Sequence, residues 1–126
     1  MKKLFLVSLM AMLAGSAWAK WVKIGYSDLG TLYIDPATIR KDGNLRKVWV
    51  MTDLDRRNKD GEMSIRTRQE LDCKGERSRV LSGSTHSEPM ASGSTLIRQE
   101  FDNLEKWNQI PPSFIAEAIL ERVCAN

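Results

Sequence analysis

Short runs in which apolar and polar residues alternate follow one another along this 126-residue chain, and turn signals separate them. This period-two pattern predicts β-strands. In the first run, Val22, Ile24 and Tyr26 share one face. Pro36 has no amide proton for a central strand to donate, so it is predicted to end the second run. The predicted strands lie at residues 21–26, 32–34, 45–52, 65–73, 77–82 and 94–101.

Residues 45–52 form the clearest of these strands. Val48 and Val50 lie on one face, and Trp49 and Met51 lie on the other. Because both faces are apolar, this strand is predicted to lie in the centre of the sheet. The charged segment 53–62 that follows is predicted to be a solvated turn, since its acidic residues lack the spacing of a calcium-binding loop.

The strand at 65–73 places its charged residues on one face, and these are Arg66, Arg68, Glu70 and Asp72. A return strand at 77–82, in which Val80 and Ser82 share a face, brings two more arginines beside them. Cross-strand ion pairs, worth about 0.2–1 kcal/mol each, are the favoured interpretation of these charges. The other interpretation is a surface for an anionic ligand. The candidate binding residues are Arg66, Arg68, Arg77, Arg79 and His86.

Residues 83–93 are small and polar, with too few large apolar side chains for a core element, and they are predicted to form a mobile loop. This segment contains His86, the single histidine of the chain, which is expected at the surface. Without a second histidine or a free cysteine, a zinc ion would lack ligands. The sequence therefore predicts no metal site and no cofactor.

The C-terminal segment has the pattern of an amphipathic helix. Two prolines at 111–112 precede it, and proline is tolerated in a first helical turn. Its apolar stripe consists of Ile115, Ala116, Ile119, Leu120 and Val123. The predicted fold class is α+β, with a single antiparallel β-sheet of about five to six strands and a C-terminal α-helix packed on it.

The N-terminus has the features of a secretory signal peptide. Lys2 and Lys3 precede an apolar run at 4–14 that is too short to span a bilayer as a helix. Ala17 and Ala19 occupy the positions that a signal peptidase recognises, so cleavage is predicted after Ala19. The alternative is a short N-terminal core helix or anchor. The predicted organisation is a signal peptide at 1–19 and one domain at 20–126, with no lipobox cysteine to encode a membrane anchor.

Export changes the charge balance. The full chain has 19 basic and 16 acidic residues, and loss of Lys2 and Lys3 leaves 17 basic residues against the same 16. The sequence pI of about 9.0 is therefore partly a property of the signal peptide. A nearly neutral exported domain is a poor match to nucleic acid, so no nucleic-acid partner is predicted.

The chain has two cysteines, Cys73 and Cys124. In an exported protein the simplest arrangement is one disulfide between them, and the alternatives are two free thiols or a bridge to another chain. Closing a loop of this length would contribute about 4 kcal/mol in the chain-entropy model.

Catalytic motifs are missing from the sequence. It has neither the Gly-x-Ser-x-Gly elbow of serine hydrolases nor a glycine-rich phosphate loop. Oxidised cysteines would supply no thiolate nucleophile. The protein is therefore predicted not to be an enzyme.

An ordered set of motifs covers nearly the whole mature chain. The motifs are Trp21, Tyr-Ile-Asp-Pro at 33–36, Trp49, Glu-Leu-Asp-Cys at 70–73, Arg77 with Arg79, Trp-Asn-Gln-Ile-Pro-Pro-Ser at 107–113, and Val-Cys at 123–124. In this order and spacing they resemble the surface-adhesin protein E family. The resemblance implies an antiparallel sheet with a C-terminal helix and bridged cysteines. The motif residues determine the fold, so no ligand contact is carried over from the family.

The resemblance also implies adhesion, namely binding of host extracellular-matrix or serum proteins such as vitronectin and laminin at a bacterial surface. Dimer formation is described for the family's namesake and is left open for this chain. The namesake is lipid-anchored, whereas this chain lacks a lipobox cysteine. The periplasm is therefore the first expectation, with the cell surface or the medium as the others. The alternative function is a soluble periplasmic accessory or structural protein with a partner in the bacterial envelope.

Overall fold

Seven strands and one helix follow each other along the chain in the computed structural model. They are β1 (Val22–Tyr26), β2 (Gly30–Asp42), β3 (Leu45–Leu54), β4 (Ser64–Asp72), β5 (Arg77–Glu88), β6 (Ser92–Glu100), β7 (Asn108–Gln109) and α1 (Phe114–Cys124). The first six strands form one antiparallel sheet in sequence order, and the two-residue β7 pairs with β5. The predicted fold class is confirmed, and β7 is an additional strand.

The structure describes residues 19–101, 106–110 and 113–125. The predicted signal peptide up to residue 18, with Ala17, lies outside the described residues, as do the prolines at 111–112 and part of the predicted connection before Trp107. Ala19 is the first residue described. No helix in these described ranges is long and apolar enough to cross a membrane.

The hydrophobic core lies between α1 and one face of the sheet, which we call the helix face. Side chains alternate along a strand, so every second residue of β2 and β3 contributes to it. The buried core residues are Leu32, Ile34, Val48, Val50, Leu71 and Val123. Met51 points to the opposite face and is also fully buried, which confirms the predicted central position of β3.

A disulfide fastens α1 to the sheet. Cys73 follows the end of β4, Cys124 ends α1, and the two Cα atoms lie 5.8 Å apart. The predicted pairing is confirmed. At its other end, α1 is capped by Ser113, whose Oγ accepts a hydrogen bond from the Ala116 amide at 3.2 Å. Such a cap satisfies one of the amides that a helix N-terminus leaves unpaired.

The prediction that Pro36 ends the second strand is wrong. β2 continues to Asp42, but its register with β3 breaks between Asp35 and Arg40. Next to this irregular segment, the Trp49 amide donates to Thr38 Oγ1 at 3.0 Å. The strand pairing is therefore interrupted locally around the proline and resumes at Arg40, and the Thr38 hydroxyl links β2 to β3 within the interruption.

The prediction of a mobile loop at 83–93 is also wrong. Residues up to Glu88 belong to β5, and residues from Ser92 belong to β6, so only a tight turn lies between them. β5 pairs with β4 on one side and with β6 on the other, and these backbone hydrogen bonds hold a segment that has few apolar side chains. As a consequence His86, which was expected at the surface, is buried at 7% relative exposure.

Candidate functional site

The face of the sheet opposite α1, which we call the far face, carries a row of alternating long and short side chains. Arg66 of β4 lies directly opposite Ser84 of β5, and Ser84 lies opposite Arg98 of β6. Neighbouring strands are about 4.8 Å apart, so the two arginines flank a short serine at about twice that spacing. A gap between two long side chains follows from this arrangement.

A pocket of about 250 Å³ occupies that gap. Its lining residues are Trp49, Arg66, Ser82, Gly83, Ser84, Arg98 and Glu100. Serine and glycine form the floor, since they carry the smallest side chains of the set. We refer to this cavity as the far-face pocket. It is a site that the sequence did not reveal, because its residues come from β3, β4, β5 and β6 and meet only in the correct register.

Arg66 forms one wall of the far-face pocket. Its guanidinium lies 3.9 Å from the centroid of the Trp49 ring, a stacking geometry typical of a cation–π contact. Burial lowers the pKa of Arg66, with a smaller contribution from the positive charge of Arg98, while Asp35 opposes the shift. Within the described residues, the buried Nε of Arg66 has no hydrogen-bond partner. The Arg66 guanidinium is thus held in the pocket wall by Trp49, and its Nε–H lacks a hydrogen-bond acceptor in the described part of the chain.

His86 lies next to the pocket on the same strand as Ser84. Ser84 Oγ and His86 Nε2 are 2.8 Å apart and share a hydrogen bond. Burial, followed by the positive charges of Arg66 and Arg98, lowers the pKa of His86 below its usual 6.5. Protonation of this imidazole is therefore less favourable than that of a free histidine.

The Ser84–His86 contact is not a complete catalytic site in the described part of the chain. β5 pairs with a strand on each side, so its backbone is engaged in the sheet around Ser84. No carboxylate there forms an ion pair with the imidazole, so the third member of a triad is absent from the described residues. The contact is better explained as a polar pair that satisfies a buried histidine.

The candidate binding residues Arg77 and Arg79 belong to a different cluster. Arg77 Nε lies 2.8 Å from Asp72, and Arg79 lies 2.6 Å from Glu70, so the predicted cross-strand ion pairs are confirmed. Both guanidinium groups also contact the ring of Trp107, at 5.0 and 4.2 Å from its centroid. The two arginines thereby hold the chain around β7 against β5.

The five candidate residues are thus divided by the structure. Arg66 and His86 come together at the far-face pocket, and Arg68 lies on the same face, paired in register with Trp49. Arg77 and Arg79 serve the Trp107 cluster. Arg98 was missed because a single exposed arginine in a predicted strand gives no signal of its own.

A second cavity lies on the helix face beside the same strands. It measures about 320 Å³ and is lined by Ile65, Thr67, Val80, Gly83, Ser84, Thr85, Ile97, Gln99 and Phe101. We refer to it as the apolar groove. Every residue of β6 is exposed, and Leu96 and Ile97 are 44% and 54% exposed. Within the described residues β6 pairs only with β5, so its outer edge has no partner strand.

Metal chemistry receives no support from the described part of the chain. The residues there include no group of three histidine, cysteine, aspartate or glutamate side chains that could hold a metal ion.

Residues 21–125 match the family model described as surface-adhesin protein E. The chain therefore belongs to the surface-adhesin protein E family. No curated protein sequence matches the chain at a significant level.

Solved structures with the same fold include three of Haemophilus influenzae protein E. The selenomethionine form is 16% identical, with a TM-score of 0.64 over 88% of this chain and 90% of that one. Protein E from a non-typeable strain is 16% identical, with a TM-score of 0.62 over 89% and 80%. A second crystal form is 18% identical, with a TM-score of 0.59 over 75% and 80%. At these identities the likeness establishes the fold.

Proposed function

We propose that the protein is an exported, non-enzymatic binding protein that contacts a host extracellular-matrix or serum protein. The contact region is the β6 surface, which comprises β6, the far-face pocket and the apolar groove. The observation that carries the proposal is that every residue of β6 is exposed, with Leu96 and Ile97 about half in solvent on an edge strand of the described sheet beside two cavities. Membership of a surface-adhesin family supports the same conclusion.

Physical chemistry favours an interface at β6. An unpaired strand edge offers backbone donors and acceptors to a partner, and proteins that do not use such an edge usually cover it or interrupt it. Adjacent exposed apolar side chains stabilise a complex when a partner covers them, because their apolar surface is removed from water. β6 combines both features, whereas the opposite edge strand β1 contacts α1.

The proposal requires that the protein leave the cytoplasm. The predicted signal peptide at 1–19 supports export, and so does the Cys73–Cys124 disulfide, since such bonds persist in oxidising compartments. A partner outside the cell additionally requires surface display or release.

Binding of the purified, disulfide-intact protein to immobilised matrix and serum proteins at physiological salt tests the proposal. We expect saturable binding that falls at least tenfold in the double variant Leu96→Lys/Ile97→Lys, because a charge at each position prevents burial. Leu29→Lys is the matched control, since Leu29 is equally apolar, is 66% exposed and lies outside β6. Thermal unfolding would verify that each variant is folded.

Two results would contradict the proposal. Absence of saturable binding to every host protein tested would remove the host partner, and saturable binding to an envelope protein instead would establish the periplasmic accessory function. Equal loss of binding in Leu29→Lys and in the β6 variant would remove β6 as the contact region.

A further inference from the structure

We infer that the far-face pocket binds a single carboxylate group, which the guanidinium groups of Arg66 and Arg98 hold over the Ser84 hydroxyl. For its biological role the inference rests on the proposed function, since the pocket lies within the β6 surface. The binding site itself can be tested without any protein partner. A carboxylate carried by an acidic side chain and one carried by a sugar acid present the same chemistry to these residues.

The register of three strands creates the site. Ser84 is paired with Arg66 across β4 and β5, and with Arg98 across β5 and β6. Two long cationic side chains therefore rise on either side of a hydroxyl, and a cavity of about 250 Å³ separates them. Stacking on Trp49 fixes the plane of the Arg66 guanidinium, which reduces the conformational entropy lost when an anion binds.

The charges around the pocket favour an anion. In the described residues neither Arg66 nor Arg98 forms an ion pair, although three other arginines do. The two cations lie close enough for Arg98 to lower the pKa of both Arg66 and His86. The buried Asp35 offsets part of the positive charge of Arg66, and a bound anion would offset the remaining repulsion between the two arginines.

The composition of the lining selects a monoanion. Its charged residues are Arg66, Arg98 and Glu100, which leave one net positive charge. A planar carboxylate matches the fork of a guanidinium and can accept two parallel hydrogen bonds. The Ser84 hydroxyl supplies a further donor in the tautomer in which His86 Nε2 carries the proton and donates to Ser84 Oγ. Glu100 would repel a second negative charge, so polyanions are disfavoured.

The test is an NMR titration of the ¹⁵N-labelled, disulfide-intact protein with three probes. A blocked Ala-Glu-Ala tripeptide carries an acidic side chain, glucuronate is a sugar acid, and sulfate lacks the planar geometry. We expect saturable shifts of Ser84 and of the Trp49 indole N–H with a carboxylate probe. A blocked Ala-Gln-Ala tripeptide should produce none.

A variant of Arg98 and a control variant test whether the arginines of the pocket hold the carboxylate. Arg98 is on an exposed strand, so Arg98→Gln should fold, and we expect its affinity for a carboxylate to fall about tenfold or more. Arg122→Gln removes the same charge from the exposed surface of α1 and should bind like the wild type. His86 is the single histidine, so its ring protons give a clean second reading, and a bound carboxylate should raise its pKa.

Each outcome decides the inference. Tighter binding of the tripeptide or of glucuronate supports the site and identifies which source of the carboxylate it prefers. Equal shifts with the glutamate and glutamine tripeptides would overturn it, as would sulfate binding as tightly as the carboxylates or equal affinity of Arg98→Gln and Arg122→Gln. If a carboxylate binds but no host protein does, the proposed function fails while the site stands.

Discussion

His86 shows at the scale of one residue how burial links charge to stability. Its pKa in the folded protein lies below 6.5 because burial and two nearby arginines oppose protonation. The unfolded chain therefore binds the proton more readily, and the stability of the neutral folded form is complete above pH 6.5 and declines as the pH falls below it. The lowered pKa values of Glu62 and Asp72 act only at more acidic pH, below their usual 4.5 and 3.8.

We therefore predict that the free energy of unfolding decreases between pH 7 and pH 5.5 in the wild type and that His86→Gln abolishes most of this decrease. Urea unfolding at the two pH values measures it. The variant is expected to be less stable at pH 7, so only the difference between the two pH values is diagnostic. An unchanged pH dependence in His86→Gln would show that another group titrates.

Glu70 gives a second prediction at this scale. It is 5% exposed, and both Nε and Nη2 of Arg79 donate to its Oε1. Arg79→Ala would leave a buried carboxylate without its cation, and we expect a loss of about 3 kcal/mol. Glu88→Ala is the control, because its pair with Arg57 is exposed and 3.7 Å long, and should cost below about 1 kcal/mol. Similar losses in the two variants in urea unfolding would contradict this account.

At the scale of elements, the helix and most strands could be predicted because apolar periodicity specifies them. Irregularities in the ladder could not be predicted from that periodicity. Strict alternation places Val80 and Ser82 on one face, but the register shifts so that Gln69 pairs with Val80 while Arg68 pairs with Ser82. This bulge turns Val80 toward the apolar groove and Ser82 toward the far-face pocket.

The β5–β6 hairpin was missed for a related reason. Its small polar residues give no hydrophobic alternation, and the backbone pairing that orders them leaves no trace in the sequence. The end of the hairpin is also held by side chains distant in sequence. The amide of Met90 donates to Asp53, and the amide of Ala91 donates to Ser64.

The disulfide between α1 and the end of β4 gives a prediction about stability. We expect the double variant Cys73→Ser/Cys124→Ser to lose about 2–4 kcal/mol of unfolding free energy, because the open chain regains conformational entropy when it unfolds. Urea unfolding measures this loss. Comparison with the wild type under reducing conditions is the control, since reduction breaks the same bond. A change below about 0.5 kcal/mol would mean that packing around Val123 holds the helix alone.

At the scale of the whole molecule, the fold could be predicted from features that the sequence displays openly. The two cysteines and the ordered tryptophan and proline motifs predict a disulfide-linked α+β domain of the surface-adhesin protein E family. The candidate site was only partly predictable. Arg66 and His86 were identified, but the pocket depends on Arg98 and on the short side chain of Ser84, whose positions require the register of three strands.

The proposed function requires that the protein meets its partner outside the cell. Protease treatment of intact cells, with a periplasmic protein as the internal control and an assay of the medium, tests it most directly. We predict that the protein is digested on intact cells while the periplasmic marker survives, or that it is recovered from the medium. Protection until the outer membrane is breached would contradict the claim and favour a partner within the envelope.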